Sequence, residues 1–150
     1  MMELGNGKRE LRENNVVALP EKRSYVSKVQ DMEVYARAYK LSLEIHKVTL
    51  GMPKIEQYTL ADQLRRSTKS ICANLAEGYA RQRQSSAEFK RFIAIAIGSC
   101  SESVVWLDYA RDLGYISAEQ STQWTEQYSV VERMLAKLRN TIKSQGGDNS

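Results

Sequence analysis

The sequence predicts an all-α protein, an antiparallel up-down-up-down four-helix bundle, on three observations. Its 150 residues suffice for one domain with a real core. Only two prolines occur, and none follows Pro53, which permits long helices. Apolar residues recur at spacings of three and four, whereas β-branched residues do not alternate as in strands. We expect the bundle over residues 31–143, a flexible N-terminal tail over residues 1–30, and a disordered C-terminal tail over residues 144–150.

The first two helices are predicted from apolar spacing and from residues that stop a helix. The first spans about residues 31–50, with Asp31 as the N-cap candidate and Gly51 beyond its end. The second spans about residues 59–80, with Thr59 as the N-cap candidate. The apolar seam of the first helix comprises Val34, Ala38, Leu41, Ile45 and Val48.

Cap signals bound the third and fourth helices, which span about residues 86–113 and 117–142. The short polar connection before the third helix makes it the antiparallel neighbour of the second. The cap candidates are Ser85 or Ser86, then Gly114, then Ser117 with Gln120 in a capping-box pattern. The predicted core residues are Phe89, Phe92, Ile93, Ala96, Val104 and Leu107 in the third helix and Trp124, Tyr128, Val131, Leu135, Leu138 and Ile142 in the fourth.

The second helix, QLRRSTKSICANLAEG, does not have the pattern of a solvated amphipathic helix. Alanines occupy directions where such a helix would place Lys or Glu, so we expect it to be enclosed on nearly all sides. A buried charge needs a partner, and we expect Arg66 to pair with Glu102 or with Glu77 of another helix. Asn74 should bond to backbone. The residues assigned to structure and assembly, with direct ligand binding as the alternative, are Arg66, Ser70, Asn74, Glu77, Gly78, Gly98, Ser99 and Glu102.

One stretch of the third helix is rich in small residues: Ala94, Ala96, Gly98, Ser99, Cys100 and Ser101. Glycine inside a helix costs about 1 kcal/mol relative to alanine. Close approach of another backbone at Gly98 would compensate for this cost. Because small residues lie on several faces of the second and third helices, we expect an oligomer.

The charge of the chain is mildly basic, with a formal net charge of +4 and a pI of about 9.1. Residues 65–91 contain seven Lys/Arg against two Glu, a local net charge of +5. Such a cluster indicates phosphate binding or is simply a solvated surface. The aromatic residues fall at helical spacing and offer no base-stacking platform. The nucleic-acid-binding candidates are Arg65, Lys69, Arg81, Arg83, Lys90 and Arg91.

No combination of residues predicts catalysis or metal binding. Cys72 and Cys100 lie in apolar helical stretches and are expected to be buried, reduced thiols. His46 has no partner at metal-ligand spacing. Asp108 and Asp112 are four residues apart, but no histidine is near them in sequence. We therefore expect no catalytic residue, no metal and no cofactor.

Three segments resemble the four-helix-bundle family of 23S ribosomal RNA intervening-sequence proteins: QLRRSTKSICANLAEGYAR, EFKRFIAIAIGSCSES and LGYIS. The resemblance covers about residues 31–142, and Cys72 stands where the family often has Pro. The matching positions are Gln63, Arg65, Arg66, Ser70, Ile71, Ala73, Asn74, Ala76, Glu77, Gly78, Ala96, Gly98, Ser99 and Glu102.

The resemblance implies a small bacterial subunit that assembles into a ring, typically a homopentamer. The family is similar to the accessory variability determinant of diversity-generating retroelements, a basic pentameric barrel that binds the reverse transcriptase and nucleic acid. No catalytic activity is attached to the family.

The sequence and the resemblance together predict a non-enzymatic homo-oligomer that binds nucleic acid, such as ribosomal RNA, or a ribonucleoprotein. The alternative is a protein-interaction adaptor, for instance for a reverse transcriptase, without nucleic-acid affinity of its own. An enzyme with a cryptic site is a third reading. We expect a cytoplasmic protein without a membrane partner, because no signal peptide and no apolar run of about 18–20 residues is present.

Overall fold

The computed structural model describes residues 28–143, which form four α-helices and no strand. Short 3₁₀ turns at Val29–Asp31 and Lys54–Glu56 precede the first and second helices. The predictions for residues 1–27 and 144–150 lie outside the described residues. The helices are α1 (Glu33–Thr49), α2 (Leu60–Arg81), α3 (Ser86–Asp112) and α4 (Ala118–Thr141).

The four helices form a bundle around one core, as predicted. Each helix contacts the next one in the chain, α4 also contacts α1, and α2 and α3 have the most extensive contact. Among the described residues α1 and α3 do not contact each other, so they lie diagonally across the bundle. The largest fully buried side chains include Leu41 and Ile45 from α1, Leu64, Ile71 and Leu75 from α2, Ile93 and Leu107 from α3, and Tyr128, Val131 and Leu135 from α4.

The serine caps and the glycine stop were predicted correctly. Ser85 Oγ accepts from the Glu88 amide at 3.1 Å, and Ser117 Oγ accepts from the Gln120 amide at 3.0 Å. Gly114 has a φ of +82°, a left-handed conformation in which a side chain is strained. These contacts satisfy amides that have no acceptor within the helix.

Two predicted caps differ from the structure. Met32, not Asp31, is the N-cap residue of α1, because Asp31 belongs to the 3₁₀ turn that precedes the helix. Thr59 does hold the N-cap position of α2, but its side chain does not cap the helix. Its hydroxyl instead donates to a carboxylate oxygen of Glu56 at 2.7 Å.

Of the two glycines within helices, Gly78 is the one at a close approach of another helix, not Gly98. A Cβ on Gly78 would lie 2.7 Å from Cβ of Phe92 and 3.0 Å from Cδ2 of Phe89. A Cβ on Gly98 would meet no atom within 4 Å. The expected close approach at Gly98 is therefore absent within one chain, because that glycine lies on the exposed side of α3.

Gly78→Ala should lower the free energy of unfolding by about 1–2 kcal/mol, since overpacking outweighs the gain in helix propensity. Phe92 cannot relieve the clash by changing rotamer, because the atom that is struck is its Cβ. Denaturant titration followed by circular dichroism measures the effect.

Gly51→Ala is the matched control, because its new Cβ would lie 3.6 Å from the carbonyl oxygen of Val48, an ordinary contact. We expect it to change stability by less than about 0.5 kcal/mol. Equal midpoints for Gly78→Ala and the wild-type protein would disprove the close approach.

Candidate functional site

Four of the predicted nucleic-acid-binding residues lie at the turn between α2 and α3, and we call them the turn cluster: Arg81, Arg83, Lys90 and Arg91. The guanidinium carbons of Arg81 and Arg91 lie 5.5 Å and 4.6 Å from the ring centroid of Phe92. Cation–π contact therefore holds two cations beside one aromatic ring. Phe92 was predicted only as a core residue, but it is half-buried.

Two glutamates orient the arginines of the turn cluster. Glu77 accepts from Nε and Nη2 of Arg81 at 2.9 and 2.6 Å, and Glu88 accepts from Nε and Nη2 of Arg91 at 3.3 and 3.0 Å. The hydrogen bond from Arg91 lowers the pKa of Glu88 below its usual value. With four cations and two carboxylates, the turn has a net charge of +2.

Arg65, the fifth candidate, does not belong to this cluster. It lies sixteen residues before Arg81 on α2, about 24 Å away along the helix. Its guanidinium donates to the Gln57 carbonyl at 2.6 Å, to the Gln57 side chain at 3.1 Å and to the Thr49 hydroxyl at 3.1 Å. Arg65 thus joins α2 to the α1–α2 connection. The sequence gives no signal for Gln57 as a partner of Arg65, because nothing in its local pattern indicates such a distant contact.

Lys69, the sixth candidate, lies beside the single histidine of the chain. Its Nζ is 2.9 Å from Nδ1 of His46 on α1. Desolvation by burial, then the nearby charges of Lys69 and Arg65, lower the pKa of His46 below its usual value of 6.5. A neutral His46 can accept a hydrogen bond from the ammonium group, so the two side chains join α1 to α2.

Contacts between serine hydroxyls join α2 to α3. Asn74 Nδ2 donates to the Ser70 carbonyl and lies equally close, 2.8 Å, to the Ser70 hydroxyl. The Ser99 hydroxyl lies 3.0 Å from that of Ser70. Farther along, the hydroxyls of Ser103 and Ser67 are 2.9 Å apart. Side chains this small let two helices share hydrogen bonds at close range.

The predicted enclosure of α2 and the predicted pairing of Arg66 are wrong for a single chain. Arg66 has a 76% exposed side chain and pairs with Asp62 at 3.3 Å, one turn before it on α2. Glu77 pairs one turn ahead with Arg81, and Glu102 accepts from Nε1 of Trp106 at 3.2 Å. Partners on the same helix satisfy these charges at the surface, so none needs a partner on another helix.

The two cysteines and the aspartate pair considered for catalysis or metal binding have structural roles: the thiols are buried and the carboxylates are in ion pairs. Burial raises the pKa of Cys72 and of Cys100 to about 12 each, which keeps both thiols protonated. Asp108 and Asp112 both pair with Arg111, at 3.3 and 2.9 Å. Across residues 28–143 no group of three or more His, Cys, Asp or Glu could hold a metal ion.

A surface groove of about 390 Å³ lies where the α1–α2 connection meets the end of α3. Its walls include Tyr58, Trp106, Tyr109 and Leu113. Tyr58 is 89% exposed, and Ile55 in the same connection is 80% exposed. This end of the bundle is therefore aromatic and apolar, unlike the turn cluster at the end where α2 meets α3.

The sequence profile of the 23S rRNA-intervening sequence proteins matches residues 30–137. The chain belongs to this family. A comparison with curated proteins found no match.

One solved structure is similar in fold to this chain. It is a protein of unknown function from the S23 ribosomal protein family of Bacteroides thetaiotaomicron VPI-5482. The sequences are 24% identical, the alignment covers 72% of this chain and 96% of that one, and the TM-score is 0.64. At this identity the likeness supports the shared fold alone.

By length and composition alone, α3 could cross a membrane, with a mean hydropathy of 1.3 over its best 18 residues. Only 33% of that window is buried within the bundle. Helices from the cores of water-soluble bundles pass the same test, so it is weak support for a membrane span.

Mutation of the adjacent residues Arg65 and Arg66 should have very different effects on the free energy of unfolding. Arg65→Ala should lower the free energy of unfolding by about 1–3 kcal/mol, because it leaves partners in the α1–α2 connection without their donor. Arg65→Lys should restore only part of this loss, because lysine lacks the guanidinium fork. Denaturant titrations of the wild-type protein and of the two Arg65 variants measure these losses.

Arg66→Ala is the matched control, and we expect a change below about 0.5 kcal/mol for this exposed, helix-paired side chain. Equal losses at the two positions would contradict the contacts described for Arg65.

His46 should titrate below pH 6.5, and Lys69→Ala should raise its pKa toward that value by removing a nearby positive charge. In the wild-type protein the unfolded chain binds the His46 proton more tightly than the folded chain does. The free energy of unfolding should therefore fall as the pH drops through about 6.5. NMR titration of the single histidine measures the pKa. Lys40→Ala, on the same helix as His46, should leave it unchanged; an unaltered pKa in Lys69→Ala would refute the contact.

Proposed function

We propose that this protein is a non-enzymatic, homo-oligomeric bundle that binds nucleic acid, or a ribonucleoprotein, through the turn cluster. The observation behind this proposal is the pair of guanidinium groups held against Phe92 at a turn that also carries Arg83 and Lys90. Guanidinium groups fixed before binding lose less conformational freedom when they meet phosphate.

Charge and family membership both support a nucleic-acid partner. The chain has a formal net charge of +4, and the turn cluster contributes two of those charges after its glutamates are subtracted. Neutralisation of phosphates by Lys and Arg gives binding without sequence preference. The name of the family refers to insertions in 23S rRNA, which makes RNA the first ligand to test.

The proposal includes an antiparallel up-down-up-down arrangement and assembly into a ring, for which the resemblance suggests five copies. Contacts between α2 and α3 pair residues in opposite order, Ser67 with Ser103 and Ser70 with Ser99, which supports the antiparallel direction for that pair. In a ring the turn cluster recurs once per copy, so several small patches act on one nucleic acid.

The rival proposal is a protein adaptor, such as an accessory subunit of a reverse transcriptase. The exposed apolar residues at the other end of the bundle favour it, since Ile55, Tyr58 and Tyr109 offer contact area to a protein. The cytoplasm is the proposed location under both readings.

The charge-reversal variant Arg83→Glu/Lys90→Glu tests the nucleic-acid proposal and leaves both arginine–glutamate pairs in place. We expect RNA affinity to fall about tenfold or more at low salt. The slope of log K against log salt should also drop by about one for each phosphate that the variant no longer neutralises. Fluorescence anisotropy with labelled RNA at several salt concentrations measures both quantities.

Arg133→Glu/Lys137→Glu on α4 is the matched control, because it makes the same change of charge at exposed positions outside the turn cluster. Equal reductions in affinity for the two variants would assign binding to overall charge and not to the turn cluster. An absence of RNA binding at low salt would favour the adaptor.

A further inference from the structure

The exposed large apolar side chains are unevenly distributed over the described bundle. They lie on α1 and α3, at the residues that follow these helices, and in the α1–α2 connection. Apart from Ala118 at its start, the exposed positions of α4 are polar, among them Thr122, Gln123, Glu126, Ser129, Arg133 and Lys137. One diagonal pair of helices thus carries exposed large apolar side chains, whereas α4 carries none.

The exposed side of α1 forms one continuous line, which we call the α1 stripe: Ala36, Tyr39, Lys40, Leu43, Lys47 and Leu50. At 100° per residue these positions fall within an arc of about 100°. Two lysines and no carboxylate lie in this arc, so the stripe is apolar and positively charged. Exposed apolar residues along one face of a helix are typical of a surface that packs on another molecule.

The last half of α3 forms a matching line, which we call the α3 stripe: Gly98, Glu102, Val105, Tyr109, Asp112 and Leu113. It also lies within an arc of about 100°. Its two acidic residues give it negative charge, although Arg111 already pairs with Asp112, so Glu102 is the main charge. Open space around Gly98 leaves room for bulky side chains of another molecule.

The two stripes are similar in length and opposite in charge. The α1 stripe is about 21 Å long and the α3 stripe about 22 Å long, by the rise of a helix. One carries two lysines among bulky residues, and the other carries Glu102 one turn beyond Gly98 and Asp112 near its far end. Because α1 and α3 lie diagonally in the bundle, a chain cannot bring its own two stripes together.

We infer that the α1 stripe of one copy packs on the α3 stripe of a second copy. This inference rests on the self-assembly in the proposed function and specifies its surfaces. A contact between two different surfaces is heterologous and leaves one stripe free on each end copy, so it continues until a ring closes. A second copy explains why one molecule carries both halves of a complementary pair. A lipid surface would not account for the carboxylates of the α3 stripe.

Cross-linking between cysteine variants tests this pairing. We would mix Leu43→Cys with Val105→Cys, oxidise under native conditions, and separate the products on a non-reducing gel. The native Cys72 and Cys100 are buried, and the wild-type protein controls for them. The mixture should form disulfide-linked dimers, whereas each variant alone should not. Dimers from either variant alone would overturn the inference, since they indicate like-to-like packing.

Leu43→Asp provides a second measurement that does not depend on disulfide geometry. It should raise the concentration of half-assembly at least about tenfold, as a charge placed at the centre of an apolar interface does. Thr122→Asp on the solvated side of α4 is the matched control and should leave assembly unchanged. Light scattering and analytical ultracentrifugation give the masses.

The outcomes separate this inference from the proposal beneath it. Assembly without a Leu43–Val105 cross-link, or with Leu43→Asp assembling normally, overturns the stripe pairing alone. A wild-type protein that stays monomeric at all concentrations overturns self-assembly as well. RNA binding by the turn cluster is measured independently of both.

Discussion

The close approach of α2 and α3 is the constraint on which the rest of this structure depends. Gly78 lets α2 lie against Phe89 and Phe92, since no side chain intervenes. The same approach brings the serines of the two helices within hydrogen-bond distance. It also places Phe92 between two arginines, one from each side of the turn. Because protein interiors are close-packed, a displacement at this glycine would be transmitted to the serine pairs and the turn cluster together.

Much of the fold was predictable, because its signals are local. The caps at Ser85 and Ser117 and the left-handed Gly114 depend on residues within a turn of each helix end. The roles of Arg65 and Arg66 were not predictable in this way. These neighbours differ by 100° around α2, and only the fold of the α1–α2 connection places Gln57 beside Arg65. Periodicity gives the direction of a side chain, but it does not identify a partner from a loop.

The ion pairs on the surface of α2 change the expected role of its charged residues Arg66 and Glu77. Burial of an unpaired charge is costly, and that cost led to the prediction that Arg66 needs a partner on another helix. In the structure Asp62 and Arg81 provide partners for Arg66 and Glu77 within the same helix. Charges already paired can enter a protein interface as pairs, at a lower desolvation cost than single ions. The exposed motif is therefore compatible with both a free surface and an assembled one.

The arrangement of α3 allows assembly and ligand binding to occupy separate parts of one helix. Arg91 and Tyr109 are eighteen residues apart, which is five helical turns, so they lie on the same side of α3 about 27 Å apart. A copy packed on the α3 stripe would cover the second half of this line and leave the turn cluster accessible. Each added copy would then bring another turn cluster at a fixed spacing. A polyanion that spanned several clusters would gain effective concentration at each contact, so a net charge of +2 per turn would suffice where a single patch would bind weakly.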